Sequence, residues 1–226
     1  MADLGVFEAI QTARALRRFK PDPVPSEIIT RILEAAICAA SGGNIQDWYF
    51  VVVTDPEQRK RLGAVYAKAS LSVRPFYENR PRPDHMTEAE ERHLKTSGFY
   101  LHEHMADAPL LLLVCGRRRG PRPDLTNLGA NPLIKMAVAT ACASIYPAVQ
   151  NVVLACRALG LGTVLTTNHL LCEQEIKDAL GIPDDVDTYA LMPIGYPLGN
   201  FGPVRRKPLV EVAMHNRWGE TWPARV

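Results

Sequence analysis

No charged residue occurs between Lys135 and Arg157, and the intervening run, MAVATACASIYPAVQNVVLAC, is apolar on every side when drawn as a helix. Val138, Ala141, Cys142, Ile145, Tyr146, Val149, Val152, Val153 and Cys156 leave it no polar face. A helix of that kind must be covered all round, by lipid or by protein. Its length is close to the roughly 20 residues that cross a bilayer. Its composition argues for protein. Alanine dominates, Thr140, Ser144, Pro147, Gln150 and Asn151 interrupt it, and the strong membrane formers are few. In a chain of 226 residues one sheet covers one side of such a helix, and a second copy of the chain is a natural cover for the other. The expectation is a homodimer with no membrane span, its long helix running from about Pro132 to Leu159 and kinked at Pro147.

The elements around that helix can be read from periodicity and punctuation. Val6, Phe7, Ile10 and Ala13 share one side of a first helix from Asp3 to about Arg14. Pro21, Pro23 and Pro25 force an extended connection, after which Ser26 is placed to cap a second helix. The core face of that helix holds Ile29, Ile32, Leu33 and Ala36, and it ends at Ser41-Gly42-Gly43. Trp48 to Val53 is aromatic and β-branched, hence a strand. Asp55-Pro56 opens a third helix to about Ala69, and Ser70 to Pro83 reads as irregular. Thr87-Glu88-Ala89-Glu90 is a capping box for a fourth helix to about Met105. Leu110 to Cys115 is the unbroken apolar run of a central strand, and Arg117 to Pro132 a polar loop. Thr163 to Thr167 and Tyr189 to Ile194 are strands, with a short helix, Glu173 to Leu180, between them. The strands are too few for a doubly wound sheet, so the expected class is α+β. One domain over 1–226 is expected, with a variable, lid-like segment at about 70–100 and a C-terminal arm at about 209–226.

Several functions are set aside by composition and spacing. A net charge of +2 is too balanced for a nucleic-acid binder. The five cysteines contain no C-x-x-C pair and read as reduced thiols, which points to a cytoplasmic protein. The N-terminal MADLGVFEAIQ lacks the apolar core of a secretory signal. His102-Glu103-His104 puts its histidines at i and i+2, on opposite sides of a helix, so a solvated face is expected there and no metal site. Gly160-Leu161-Gly162 lacks the third glycine of a dinucleotide fingerprint and reads as a helix C-cap. No G-x-S-x-G elbow is present.

Three features remain. Arg14, Arg17 and Arg18 are spaced i, i+3, i+4 at the end of the first helix, with no acidic residue between Thr12 and Lys20. Ala40-Ser41-Gly42-Gly43-Asn44-Ile45-Gln46 is a small-residue loop whose backbone N–H groups a planar ligand could approach. Gly202 to Leu209 returns a second basic cluster, Arg205-Arg206-Lys207, after the last strand. Each basic cluster alone is more often a solvated surface. Together with the loop they suit a ligand with a phosphate dianion and a flat ring, because arginine forks grip phosphate oxygens in pairs.

These stretches also resemble a family. R-x-x-R-R-F near the N-terminus, S-G-G-N-x-Q-x-W leading into a strand, Pro147 to Asn151, Arg157 to Thr163, Gly195-Tyr196-Pro197 and Arg206 to Leu209 occur in the order found in FMN-dependent nitroreductases. The resemblance covers nearly the whole chain except roughly Ser70 to Ser97. It implies a three-layer α+β fold, with a mixed, mostly antiparallel sheet packed between helices. It implies an intertwined homodimer with one FMN at each subunit interface, and NADH or NADPH as electron donor. Arg14, Ala15 and Arg17 stand where the family has its R-S-x-R contact to the phosphate or ribityl chain, alanine replacing the serine. Ala40, Ser41 and Asn44 stand in the loop motif, Ala40 and Asp47 replacing prolines. Leu165 and Thr166 would lie against the isoalloxazine with a backbone N–H directed at N5, and Arg206, or Arg205 in the other register, would return to the phosphate.

The activity implied is hydride transfer from NAD(P)H to a small aromatic substrate: a nitroaromatic, quinone-like or activated-alkene acceptor. No side-chain catalyst and no metal are required. Alternatives are a flavin-dependent reductive dehalogenase or flavin-cleaving relative, or a non-catalytic flavin- or polyanion-binding protein. Relatives that remove halogen from tyrosine grip its zwitterion with a Glu, a Tyr and a Lys in the middle segment, and the sequence does not place such a trio.

Overall fold

The structure is a computed structural model that describes residues 4–118, 120 and 132–223. The expected loop from Arg117 to Pro132 lies largely outside the described residues, as do Asp3, the expected start of the first helix, and the last three residues of the C-terminal arm. Four strands, β1 (Trp48–Val53), β2 (Leu110–Arg117), β3 (Gly162–Thr163) and β4 (Val186–Gly195), form one sheet in the order β1-β2-β4-β3. All three pairings among the described residues are antiparallel, as a mixed, mostly antiparallel sheet leads one to expect.

The unbroken apolar run of β2 is explained by its place in the middle. Leu110, Leu112 and Val114 face one core, with Ile32 and Ala36 of α2 (Ser26–Ile37) and Ala148, Val149, Val152 and Cys156 of α6 (Ile145–Ala158). Leu111, Leu113 and Cys115 face the other, with Leu62 and Tyr66 of α3 (Pro56–Asn79), Leu101 of α4 (Glu88–His104) and Ile176 of α7 (Glu173–Leu180). The side-chain period of two thus builds a helix–sheet–helix sandwich from one strand. Burial also pushes the thiols of Cys115 and Cys156 up, the former to about 12, so both are inert apolar packing.

Several local expectations are corrected. Ser26 does not cap α2; the cap position is Pro25, and the Ser26 hydroxyl turns to Glu27. The stretch from Ser70 is not irregular: α3 runs on to Asn79 with Pro75 inside it, and in the last turn the Asn79 side-chain amide donates to the Pro75 carbonyl at 2.8 Å. The fourth helix has its capping box, with the Thr87 N–H donating to Glu90 and the Glu90 N–H to the Thr87 hydroxyl. The segment at about 70–100 therefore belongs to a helical hairpin made by α3 and α4.

The Ala-rich run is two helices, α5 (Pro132–Thr140) and α6, rather than one kinked rod. Between them the backbone bonds shorten to i−3, as Ala143 N–H to Thr140 O and Ile145 N–H to Cys142 O. Pro147 is the cause, since a proline has no N–H and its ring clashes with the carbonyl four residues before. The chain breaks upstream, and Pro147 falls in the first turn of α6, where it is tolerated. Gly160, at φ +76°, follows α6 as the expected C-cap glycine.

Half of the Ala-rich run is uncovered. Over the stretch from Pro132 to Ala158 only 22% of the most apolar window is buried, and Leu133 and Met136 of α5 stand 70% and 59% exposed. The apolar side of α1 (Val6–Thr12) likewise faces outward through Val6, Phe7 and Ile10, while only Ala9 is buried.

Candidate functional site

The N-terminal arginines are placed by a close backbone approach. Leu16 donates its N–H to the Thr163 carbonyl at 3.1 Å, and a Cβ on Gly162 would stand 2.9 Å from the Leu16 Cβ. Glycine at 162 therefore lets the Arg14–Arg18 segment lie flat along β3. Phe19 bridges to Pro197, and the Leu198 N–H donates to the Arg18 carbonyl. The second basic cluster is drawn to the same place. The Val204 N–H donates to the Gln11 carbonyl at 2.8 Å, and the Arg14 guanidinium lies against Gly202. Arg157 ties this corner together. Its Nε donates to the Thr12 hydroxyl at 2.8 Å, and its guanidinium lies 4.2 Å from the centre of the Phe201 ring.

The arginines divide their work. Arg14 and Arg206 are exposed and have no carboxylate partner among the described residues; Arg206 bonds only the carbonyl beside it. Arg205 pairs with Glu90 of α4, which leaves Arg206 as the available arginine of that cluster. Arg17 turns the other way, into a cavity of about 470 Å³, where it donates to the Ser97 hydroxyl at 3.2 Å. Burial lowers its pKa, the neighbouring Tyr66 opposing this. Arg14 and Arg17 therefore have separate surroundings. Arg18 is exposed but stacked, its guanidinium 3.7 Å from the centre of the Tyr100 ring, which in turn stacks on His104.

The cavity lies between the α3–α4 hairpin and the segment after β3. Leu165 is 40% exposed on its wall. Thr166 is held by two bonds to Leu191: its hydroxyl donates to the Leu191 carbonyl at 2.6 Å, and its own carbonyl accepts the Leu191 N–H. The Leu165 and Thr166 N–H groups have no acceptor among the described residues. The strand expected over Thr163 to Thr167 is thus reduced to β3 and one isolated bridge at Thr166. Tyr66, 2% exposed, lies beside the Thr166 and Ser70 hydroxyls, and burial raises its pKa while these neighbours oppose the rise.

His102 is a residue that the sequence misplaced. It is 7% exposed, lines the cavity between Tyr66 and Phe99, and its Nδ1 has no partner. Burial, then the charge of Arg74, then that of Arg17 push its pKa down, so it is uncharged at neutral pH. His104 faces outward to Asp107 at 2.7 Å, so the two histidines do point to opposite sides, but only one of them is on the surface. No group of side chains suited to a metal ion occurs among the described residues.

The small-residue loop lies elsewhere. Ser41 accepts the Gln46 N–H at 2.9 Å, and Gly43, Asn44 and Gln46 all have positive φ. Ala40 is exposed beside them, and the Gly42 N–H donates to Ser144 in the break before α6. This loop leads into β1, an edge strand, whose first residue pairs with Gly116 and thus stands level with Asp187 of β4. Leu165 and Thr166 follow β3 on the opposite edge, level with Leu191. Three strand spacings separate the edges, roughly 14 Å before the lengthwise offset is added. Within one protomer Ala40, Ser41 and Asn44 are not brought to Arg14, Ala15, Leu165 and Arg206. Ala15 itself is exposed between its two arginines.

The fold is thus a three-layer antiparallel α+β sandwich, with arginines that lack carboxylate partners among the described residues at one corner, beside a cavity under a helical hairpin. The sequence model of the Nitroreductase family matches residues 10–196, and the chain belongs to that family of flavin-dependent oxidoreductases. A protein of Methanothermobacter thermautotrophicus, provisionally named NADH dehydrogenase/NAD(P)H nitroreductase, is 25% identical over 204 residues, 89% of this chain and 82% of that protein. Iodotyrosine deiodinase 1 of Rattus norvegicus is 28% identical over 191 residues; the match takes in 84% of this chain but only 61% of the rat protein's length. The crystal structure of an oxidised iodotyrosine deiodinase bound to FMN and 3-iodo-L-tyrosine is similar at a TM-score of 0.67 and 23% identity, covering 94% of this chain and 99% of that one.

Proposed function

We propose that the chain is an FMN-dependent NAD(P)H oxidoreductase that reduces nitroaromatic, quinone-like or activated-alkene acceptors, working as a homodimer. The observation that carries this reading is the corner at which Gln11 and Val204 join. The Val204 N–H bond to the Gln11 carbonyl joins the segments that carry Arg14 and Arg206, two exposed arginines without carboxylate partners among the described residues. Two uncompensated guanidinium groups on neighbouring segments suit a dianion, which both can grip. The residues present fit FMN: Arg14 and Arg206 for its phosphate, Arg17 for the polar edge of its ring, and the unused Leu165 and Thr166 N–H groups for a ring acceptor. The missing serine hydroxyl at Ala15 removes one hydrogen bond from that set.

Bound FMN would supply two-electron hydride chemistry. The chain's own groups bind, orient and exclude water. Arg17, desolvated beneath α4, sets a fixed positive charge at the cavity floor, where negative charge on a reduced ring would be stabilised. Leu165 and Thr166, fixed by the two bonds to Leu191, hold the wall flat. The α3–α4 hairpin closes the outer side through Arg17–Ser97, Arg18–Tyr100 and Arg205–Glu90. In the overall reaction with a nitro group, NAD(P)H gives a hydride and solvent a proton, and the products are NAD(P)+, the nitroso compound and one water.

The dimer follows from distance. A ligand at Leu165 can meet the Ser41–Asn44 loop only if a second copy supplies it, because the sheet lies between them in one chain. The apolar residues left outside, Phe7, Leu133, Met136, Leu209 and Val212, are the cover that such a copy would provide. The test is direct: the purified protein should be a yellow dimer in light scattering that bleaches with NADH or NADPH. A colourless monomer that takes up no added FMN refutes the reading. Arg14→Ala and Arg206→Ala together should lose FMN without unfolding, and stoichiometric FMN in that double variant would remove the phosphate assignment.

Reductive dehalogenation is the second reading. Tyr77, Glu91 and Lys95 all line the cavity, a tyrosine, a glutamate and a lysine within reach of one ligand, and deiodinases are among the relatives. Glu91 and Lys95 are paired with each other at 2.8 Å, and a zwitterion would have to part them. Iodide release from 3-iodo-L-tyrosine under reducing conditions separates the two readings.

A further inference from the structure

The cavity is unevenly charged. Three permanent cations, Arg17, Arg80 and Lys95, and a single carboxylate, Glu91, line it. Glu91 is already neutralised by Lys95, whose ammonium also donates to the Glu78 carbonyl. Arg17 bonds Ser97 on the floor. That leaves Arg80, which follows the last turn of α3 at the rim and has no hydrogen bond or ion pair among the described residues. Its neighbours on the rim, Pro81 and Pro83, stiffen the chain that carries it. Met86, Leu94, Phe99, Leu101, Val164 and Leu165 form an apolar wall, and the polar lining that remains, such as Tyr77, Thr167 and Asn168, carries no permanent charge. His102 adds an uncharged ring, so it brings no charge to this face.

An apolar slot with one free guanidinium at its mouth suits a flat body with an anionic substituent at one end. A carboxylate meets a guanidinium through two parallel hydrogen bonds, a geometry that an amide of the same shape reproduces poorly. We propose that the acceptor site selects aromatic acceptors that bear an acidic group, and that Arg80 is the residue that recognises this group. This rests on the oxidoreductase reading above and names the class of acceptor for that same cavity. Lys95 cannot take the role while it is held by Glu91, and Arg17 is too deep.

The test compares 4-nitrobenzoate with 4-nitrobenzamide, which share size and shape and differ in charge. With the FMN-loaded protein the benzoate should have a kcat/KM at least tenfold higher, and the preference should shrink as salt is raised. Arg80→Gln should bring the ratio close to one, and Arg80→Lys should restore part of it. Binding is read independently of turnover, from the change in the visible spectrum of the oxidised flavin protein on titration with benzoate and with benzamide in the absence of donor. Tighter binding of benzoate, lost in Arg80→Gln, supports the inference. Equal binding of the two in the wild type overturns it, as does an Arg80→Gln variant that raises only the KM for NADPH, since Arg80 would then serve the donor. A protein that is yellow and bleaches with NADH but ignores the charge of the acceptor sinks only this inference. A protein that takes up no FMN sinks the reading beneath it.

Discussion

Gly162→Ala tests how the arginine segment is held. A Cβ built on Gly162 meets the Leu16 Cβ at 2.9 Å, the Pro197 Cβ at 3.1 Å and the Leu16 Cδ1 at 3.3 Å. Carbon atoms in contact settle at about 3.5–4.0 Å, so Leu16 would have to retreat by roughly 0.6–1 Å. It cannot swing a flexible end out of the way, because the closest atom is its own Cβ and its N–H is bonded to Thr163. Pro197 blocks the other side. Overpacking of this kind costs about 1–3 kcal/mol, which in a chain of this size lowers Tm by roughly 2–12 °C. Leu16 lies between Arg14 and Arg17, so the same shift should weaken FMN binding. Gly98→Ala is the matched contrast. Nothing lies within 4 Å of its new Cβ, and the site is inside α4. A gain of about 0.5–1 kcal/mol is expected there from helix propensity. Thermal melts and FMN titrations of both variants decide the matter. A Gly162→Ala protein with wild-type Tm and wild-type flavin affinity would refute the claim that this contact places the arginines.

Arg157→Met should lower stability by about 1.5–3 kcal/mol, because it removes a charged hydrogen bond to Thr12 from a side chain that is 15% exposed. Urea melts should show this, with Arg157→Lys recovering only part, and an unchanged midpoint would count against the tie between α1, α6 and the Phe201 loop. Acid should weaken the fold through His169. Its ring is fully buried with Nε2 on the Thr188 hydroxyl, and burial pushes its pKa from 6.5 down to about 4, Glu173 opposing this. A histidine kept neutral in the fold binds a proton more readily when unfolded. Its contribution is therefore complete above pH 6.5 and lost as pH falls toward 4, a change of about 3 kcal/mol. His169→Asn should flatten the stability profile between those values, and an unchanged acid limb in that variant would assign the loss to other groups.

The sequence announced the layers but not their outer faces. β1, β2 and α7 were legible because their patterns are local: β-branched runs, an unbroken apolar stretch and a capped amphipathic turn. Pro75 misled because a proline usually ends a helix, whereas here α3 is held along α4 and runs past it to Asn79, whose side-chain amide bonds the last turn. Pro147 was read as a kink, yet its clash is better relieved by a new helix start. The side of α1 that carries Phe7 looked like core because periodicity reports an apolar face and not what covers it. Of the candidate site, the arginine clusters were legible as charges without local partners. Their separate fates were not. Whether Arg17 or Arg14 turns inward depends on where Gly162 and Ser97 lie in space, and that is long-range information. Arg80 gave no signal, since one arginine before a proline is ordinary until its cavity is seen.

The position of the Ser41–Asn44 loop leads to a prediction that needs no knowledge of the acceptor. If the flavin site joins Arg14 and Arg206 of one chain to that loop of another, damage to the two halves should complement. One chain would carry Arg14→Ala with Arg206→Ala, the other Ser41→Ala with Asn44→Ala, each binding FMN poorly alone. A two-fold dimer that pairs one of each has one site with both defects and one with neither. Random mixing makes about half of the dimers mixed, so roughly a quarter of all sites should recover FMN. Co-expression with two affinity tags isolates the mixed dimer, in which bound flavin should approach one per dimer. The alternative, a site built within one protomer, predicts two damaged sites in every dimer and no recovery at all. The sheet order makes the first outcome the expected one, because no rotamer change carries Asn44 across four strands to Leu165.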